Sequence, residues 1–341
     1  MTTIRDVARL AGVSSSTASL AFSKSNRVSP ETARKVWAAA KELGYRPNPL
    51  AQSLKRGRTN LIGIVVGDLS NPFFGILLKE IERRAKRAGY NVLVAESDAD
   101  PKQELSVLDH LASQRVAGTL LFPHGSGPAY VKGLKALDMP LVTIDHKIEG
   151  TDFDLVCSDN RLAASMLTEH LLRLGHRQIT HVSGPAHMWT AAERIKGFQH
   201  TMNAAGIHDL DIVDGGYMYE PAYAKAMELL TRAKPPTAIL AANNVMALGC
   251  LAALQDLGFE CPDEISLATI NKVPWSSVIK PKLTLVEQDQ ASLARTAINY
   301  LIERIQQADM TNASGRETIL TPRLSLGNST QSPKTINHAK S

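Results

Sequence analysis

Few of the features that would mark an enzyme, a disulfide scaffold or a membrane protein are present in this chain. Cysteine is scarce: Cys157, Cys250 and Cys261 are scattered and odd in number. That excludes a disulfide framework and the clustered spacing of a metal site, and it fits a reducing compartment. Aromatic residues make up only 5% of the 341 residues. No apolar run reaches the roughly 18 residues that a bilayer crossing needs. The first residues carry no basic stretch followed by an apolar core, so no secretory leader is expected and the cytoplasm is the expected location. P-loop, G-x-G-x-x-G and G-x-S-x-G motifs are all missing, which leaves catalysis without a motif to rest on. His176, His181 and His187 are spaced wrongly for one helical face and read as core or surface residues. No cofactor or metal is expected.

What is present is an uneven charge. The net charge is +5, yet up to Asn60 there are 11 Lys and Arg against 3 Asp and Glu, while the remainder carries 27 against 30. A basic head on a slightly acidic body is the footprint of a nucleic-acid contact confined to one domain. The length and a hydrophobic share of 44% suit two or three globular domains.

The head, residues 1–47, reads as three short helices. Thr3 caps the first, and Asp6 completes a capping-box pattern. Val7, Ala8, Leu10 and Ala11 give it an apolar side, Gly12 ends it, and Val13 plugs a small core. Ser14 caps a second helix running to about Phe22. Its Thr17, Ala18 and Ala21 face inward, with Ser15, Ser16, Ser19 and Leu20 on or near the outer side. Ser29 caps the third, with Pro30 at its first position. Ala33, Val36, Trp37, Ala40 and Leu43 form its stripe, and Gly44 closes it. Two helices joined by a tight Gly turn, with a third behind them, are the layout of a helix-turn-helix reader, whose second helix enters the major groove. Residues 48–60 follow as a linker. Asn48 to Lys55 reads as a capped helix, shorter than the about twelve residues at which an isolated helix becomes stable.

With the head, this linker and the segment YRPNPLAQSLKRGRTNLIGIVV, the chain resembles the LacI/GalR family of bacterial transcriptional regulators along almost its whole length. The resemblance implies that Ser15, Ser16 and Leu20 read base edges, that Arg27 lies close to DNA, and that Thr17, Ser19 and Ser29 hold phosphates. It also implies that the linker helix orders on DNA beside its mate from a second subunit. Leu54 would wedge into the minor groove, with Lys55 beside it. One departure is Leu20, where most members carry Arg. Arg binds guanine through two hydrogen bonds, whereas Leu offers only apolar contact, so an altered operator is expected.

After Asn60 the pattern changes to buried strands alternating with helices: LIGIVVG, NVLVAES, GTLLF, PLVTID, a strand near Leu155, ITHVSG, TAILAAN, ISLATI and LTLVEQD. Such alternation implies parallel sheets with right-handed crossovers. The fold class expected is therefore an N-terminal all-α helix-turn-helix domain followed by an α/β body. The resemblance makes that body, residues 61–327, the two-lobed periplasmic-binding-protein type I fold of doubly wound parallel sheets. On its pattern the first lobe runs to about Asn160 and takes back the chain after about Asp289. A polar tail is expected over 328–341, with no leucine heptad for a coiled coil.

Ligands of open α/β sheets bind beyond the carboxyl ends of the strands. The loops there carry Asp68 to Phe74, Ser158-Asp159-Asn160, Arg194, Asn243-Asn244, Asn271-Lys272 and Gln288-Asp289. Aromatics with amide, carboxylate and Arg groups suit a small polar ligand with an apolar face, such as a sugar or nucleoside. The resemblance assigns ligand contacts to Phe73, Phe74, Asp159, Arg194, Met218, Asn243, Asn271 and Gln288. The family usually has Asp at Asn271 and at Asn244. Two amides there predict a less negative pocket, open to a ligand carrying negative charge. The expected protein is a homodimer that binds palindromic double-stranded operator DNA, most simply as a repressor, under the control of a sugar-like effector. The rival reading is a solute-binding or enzymatic α/β protein with an incidental basic head.

Overall fold

The structure, a computed structural model, describes residues 2–22, 28–46, 58–272, 276, 278–307 and 314–334. Arg27, Leu54, Lys55 and the helix expected over 48–55 lie outside the described residues. The chain divides into two compact units, Met1–Asn60 and Leu61–Ser341, each with its own core.

The first unit holds α1 (Ile4–Leu10), α2 (Ser15–Phe22) and α3 (Pro30–Glu42). Side chains define their starts. Asp6 accepts hydrogen bonds from the Thr3 N–H (2.9 Å) and hydroxyl (2.7 Å), Ser14 accepts from the Thr17 N–H (3.0 Å), and Ser29 from the Thr32 N–H (3.2 Å). Gly12, at φ +65°, makes the turn between α1 and α2. Val7, Ala8, Ala18, Ala21, Phe22, Val36, Ala39 and Ala40 form the core, with Val13 packed on it. Two stripe residues depart from the sequence reading: Leu10 and Trp37 are 48% and 47% exposed. So small a core cannot cover every apolar position. On α3 the buried face is Val36, Ala39 and Ala40, and Trp37 stands at its margin, edge-on to Phe22 at 5.1 Å.

The second unit contains two lobes of one design. In chain order they comprise β1 (Leu61–Val66), α4 (Phe73–Arg87), β2 (Asn91–Glu96), α5 (Pro101–Ser113), β3 (Gly118–Leu121), α6 (Gly127–Lys135), β4 (Leu141–Ile144) and β5 (Asp154–Ser158). Then come α7 (Asn160–Arg173), β6 (Ile179–Ser183), α8 (Trp189–Ala204), β7 (Asp211–Asp214), α9 (Tyr219–Leu230), β8 (Ala238–Ala241), α10 (Asn244–Asp256), β9 (Ser266–Ile270) and β10 (Thr284–Glu287). Last are α11 (Gln290–Gln306), β11 (Glu317–Leu320) and β12 (Arg323–Ser325). One sheet runs β11-β5-β4-β3-β1-β2 and the other β12-β10-β9-β8-β6-β7. Every strand pair is parallel except β12 with β10. The central strands are buried on both faces, which explains their unbroken Val, Ile, Leu and Ala runs.

Three crossings join the lobes, at Ser158–Asn160, Glu287–Gln290 and Leu320–Arg323. Helix α11 and strand β11 return to the first lobe, where Leu293, Ala297 and Leu301 pack on Ile62, Leu120 and Val142. The end of the described chain does not stay there. β12 joins the second sheet, and Ser329, fully buried, accepts from the Thr284 N–H and donates to the Leu267 carbonyl. The residues expected to begin a polar tail at 328 are thus a strap on the second lobe. Their polar side chains serve a sheet edge, a role composition does not reveal. The edge strands β7, β11 and β12 are only three or four residues long and half-exposed, and lack the apolar run that the longer edge strand β2 keeps. No helix among the described residues is long and apolar enough to cross a membrane.

Asp154 anchors the return of the chain to the first lobe. Its buried carboxylate takes Nε and Nη2 of Arg304 (2.9 and 2.7 Å), and the backbone N–H and Nη2 of Arg316 (both 2.8 Å). Burial alone would push its pKa up, but the hydrogen bonds from both arginines outweigh it and hold the group at about 2. A pKa depressed on folding gives stability that is fully present above the unfolded value and is lost as pH falls through about 2. Asp154→Ala strands two guanidiniums and should cost about 3 kcal/mol in denaturant unfolding at pH 7. The gap to wild type should narrow below pH 4 or so, and a gap independent of pH would count against the ionic account.

Candidate functional site

Between the lobes, at the carboxyl ends of both sheets, lies a cavity of about 480 Å³. That volume suits a small molecule. The first lobe supplies Asp68, Phe73, Phe74, Glu96, Asp98, Phe122, His124, Asp145 and His146; the second supplies Thr190, Arg194, Tyr217, Met218, Asn243, Asn244 and Asn271, and the crossing segment Gln288. Asn71 accepts from the Phe73 N–H (3.0 Å), starting α4 so that Phe73 and Phe74 fall in its first turn. Phe74 stands edge-on to both Phe73 and Phe122, at 5.5 and 5.0 Å, and the three make an apolar wall.

Arg194, 4% exposed, is the one buried arginine or lysine among the described residues that line this cavity. Its Nε donates to Asn160 Oδ1 (2.8 Å) and its Nη1 to the Ala242 carbonyl (2.7 Å), while the guanidinium lies 5.5 Å from the centre of the Tyr217 ring. Tyr217 hydroxyl meets Thr190 Oγ1 (3.0 Å), and Thr190 meets His146 Nε2 across the lobes (3.4 Å). Burial holds His146 well below the usual histidine pKa, with the charges of His124 and Arg194 adding to it, so this contact is made by a neutral imidazole.

Asn271 donates to Gln288 Oε1 (2.8 Å) and its own Oδ1 accepts from the Gln288 N–H (3.3 Å). Asp145 and Asn271 occupy matching places, one residue past β4 and one past β9. Both have left-handed backbones, at φ +68° and +71°. Such geometry is costly for a residue with a Cβ and concentrates at ligand sites. Asp145 Oδ1 and Gln288 Nε2 are buried with no hydrogen-bond partner among the described residues. Burial raises the Asp145 pKa, against the pull of Arg194 and of the neighbouring Gln288 and Asn160 amides. An acceptor and a donor that neighbour each other without a close hydrogen bond can both be met by a ligand hydroxyl, which donates and accepts.

Most residues expected at this site line it: Phe73, Phe74, Arg194, Met218, Asn243, Asn271 and Gln288. Asn243 is also the cap of α10, accepting from the Met246 N–H (2.8 Å), and it donates to the Tyr217 carbonyl (3.1 Å). Asp159 does not line the cavity. It turns to its own helix and accepts from the Leu162 N–H (2.9 Å), as Asp289 does from Ser292 at the start of α11 (2.9 Å). Its neighbour Asn160 makes the inward contact instead. The two amides do not leave the cleft without carboxylates: among the described residues Asp68, Glu96, Asp98 and Asp145 line the first-lobe wall, with Arg194 opposite.

Asp145, His146 and His124 follow the strands PLVTID and GTLLF, so the strand-end rule applied to every strand would have found them. Tyr217 follows β7, which carries no clear strand signal. Nothing in the sequence marks Glu104. Fully buried on α5, it accepts from the His124 N–H (3.1 Å) and Tyr130 hydroxyl, and lies 3.3 Å from His124 Nδ1. It thereby fixes the His124 ring at the cavity edge. His176 and His181 lie in the second-lobe core, whereas His187 lines the cavity.

On the first unit, Ser15 and Ser16 are exposed in the opening turn of α2, with Ser19 and Leu20 half-buried further along. Thr17 Oγ1 pairs with Ser14 Oγ (2.9 Å), and Ser29 is the exposed cap of α3.

Comparison with known proteins agrees with both units. Residues 3–48 match the family of bacterial regulatory proteins of the lacI type, and residues 59–324 match periplasmic binding proteins and the sugar-binding domain of the LacI family. The HTH-type transcriptional repressor PurR of Histophilus somni is 32% identical over 310 residues, covering 90% of this chain and 93% of that protein. PurR of Haemophilus influenzae is 31% identical over 335 residues, 97% and 99% of the two chains. A lac repressor dimer bound to operator and the anti-inducer ONPF has a TM-score of 0.84 at 27% identity, over 97% of this chain and 99% of that one. A cellobiose complex of the regulator CelR gives 0.71 at 26% identity, over 96% and 100%. Fold and site define a DNA-binding transcriptional regulator with a two-lobed ligand domain. The chain belongs to the LacI family.

The geometry separates two acids that look alike in sequence. Asp159→Ala should cost about 1 kcal/mol of stability through its cap while leaving ligand affinity within twofold. Asp145→Ala should remove most ligand-induced rise in melting temperature. The reverse pattern would return Asp159 to the site.

Proposed function

We propose that this regulator represses transcription from a palindromic operator, and that a small molecule whose neutral, hydroxylated ring of sugar size is bound in this cleft between the lobes sets its grip on DNA. The observation that carries this reading is the pair of unpaired buried groups, Asp145 Oδ1 and Gln288 Nε2, beside Arg194 and the Phe73–Phe74–Phe122 wall. Four carboxylates on one wall disfavour an anion in this cavity, and the aromatic wall suits the apolar face of a ring. Ribose is bound in a LacI-family regulator from Enterococcus faecium, 26% identical with a TM-score of 0.72. The chain acts by binding, and no reaction step is assigned to it.

The domain roles follow. Residues 1–47 read DNA, 48–60 link, and the body from 61 binds effector and pairs two copies. Ser15, Ser16 and Leu20 face base edges; Thr17, Ser19 and Ser29 hold phosphates. Arg27, Leu54 and Lys55 take the roles that the family resemblance gives them.

Titration of sugars against the full chain tests the effector half. A ligand at a hundredfold over its Kd adds about 2.7 kcal/mol. For a body of this size that raises the melting temperature by about 5 °C. The same ligand should change operator affinity in a gel-shift assay; a ligand that stabilises the protein and leaves DNA binding untouched would detach the cleft from regulation. Selection from a random duplex pool tests the DNA half. It should return a palindrome, and Leu20→Arg should move preference toward guanine at one symmetric position by about 1–3 kcal/mol. An unchanged preference would remove Leu20 from base reading.

A further inference from the structure

Beside the effector cleft, toward α6, lies a second and larger cavity between the lobes, about 1030 Å³. The two share His124, His146, His187 and Met188, so they adjoin at the imidazoles of His124 and His146, whose centres are 5.9 Å apart. Their charges are opposite. The inner cleft sets Asp68, Glu96, Asp98 and Asp145 against Arg194, while the outer cavity sets Lys132, Lys135, Lys147 and Lys196 against Glu149.

These lysines are available to an anion. Lys132 meets no carboxylate within ion-pair distance among the described residues. Lys135 spends one hydrogen on the Gly150 carbonyl (2.9 Å) and keeps two. Lys147 pairs with Glu317 (2.8 Å) in an exposed pair that is cheap to exchange, and Lys196, itself half-exposed, pairs with the more buried Glu193 (2.7 Å), which Arg161 also holds. Lys132, Lys135 and Lys147 belong to the first lobe and Lys196 to the second, so the outer cavity has cations on both lobes. The start of α6 at Gly127 adds to this: Ser126 makes no side-chain cap there and the first turn has no acid. Trp189 adds an apolar side.

We infer that the effector is bipartite: a neutral hydroxylated ring in the inner cleft carries a phosphate monoester that lies among the lysines of the outer cavity. Four point-charge ammoniums with no guanidinium fork among the lining residues match a phosphate better than a planar carboxylate. The inference rests on the cleft reading proposed above. It moves the negative charge of the ligand away from Asn271 and Asn244 to the opposite side of His146.

Matched pairs test it on the full chain: glucose with glucose 6-phosphate, and ribose with ribose 5-phosphate. Gluconate and inorganic phosphate serve as controls, and binding is read by melting shift and calorimetry at two salt concentrations. At least one ester should bind about tenfold tighter than its parent sugar, and more weakly as salt rises. The double variant Lys132→Ala with Lys196→Ala should return that ester to the affinity of its parent. A parent sugar that binds while its ester gains nothing retires the phosphate arm and leaves the cleft reading standing. Silence from sugars and esters alike overturns both. Ester binding unaffected by the double variant, or matched by gluconate or by inorganic phosphate alone, overturns the bipartite ligand.

Discussion

A buried guanidinium organises this ligand domain. Arg194 is almost wholly removed from water and makes no direct ion pair among the described residues, so neutral oxygens must stand in for solvent. Those oxygens come from separate parts of the chain: Asn160 on the first crossing segment, the Ala242 carbonyl past β8, and the Tyr217 hydroxyl past β7. Each segment must end where it does for the charge to be tolerated. Through Tyr217 and Thr190 the same network reaches His146 on the first lobe. The position of one lobe against the other is therefore felt at a charge that can ill afford to lose a partner.

The two lobes repeat a single plan, and the repeats explain which polar residues bind and which merely build. Asp159 and Asp289 both follow the fifth strand of their sheets, and both cap the next helix. Asp145 and Asn271 both follow the fourth strand in left-handed conformation, and both point into the cleft. At this second pair the plan holds one acid and one amide. The amide is bound to Gln288, and the acid keeps an unpaired oxygen. Replacing a carboxylate by an amide at Asn271 therefore does not empty the cleft of negative charge. It leaves the charge on one side, where it can orient a ligand.

The fold was legible because its central strands are buried on both faces and its helices begin at side-chain caps. LIGIVV and AILA have few other ways to be buried, and Ser29-Pro30 starts a helix for local reasons. The cleft was legible in part, because strand ends are where α/β sheets bind ligands, and Arg194, Asn271 and Gln288 lie there. Asp159 was misread since a cap and a ligand contact share residue type and place; only the direction of the carboxylate separates them. His124 lay at a readable strand end, but its support by Glu104 did not. A buried acid twenty residues away in sequence meets it only through tertiary packing. Strands β7, β11 and β12 and the strap at Ser329 escaped for the same reason, their pairing being set by distant neighbours rather than by composition.

Regulation asks more of the cleft than affinity. A ligand that bound two lobe arrangements equally would shift nothing, and turning a 1:99 population into 99:1 takes about 5.5 kcal/mol of difference. The observed arrangement has two groups from which such a difference can come. Asp145 Oδ1 and Gln288 Nε2 are unpaired here, and each unsatisfied buried group costs about 1–3 kcal/mol. The cross-lobe contact of His146 with Thr190, at 3.4 Å, is long and has little to lose. A ligand whose hydroxyls meet Asp145 and Gln288 at their present separation favours this arrangement. One that reaches both only after the lobes shift favours another, at the expense of the His146 contact. Which arrangement a ligand favours thus follows from the spacing of its hydroxyl groups rather than from how strongly it binds.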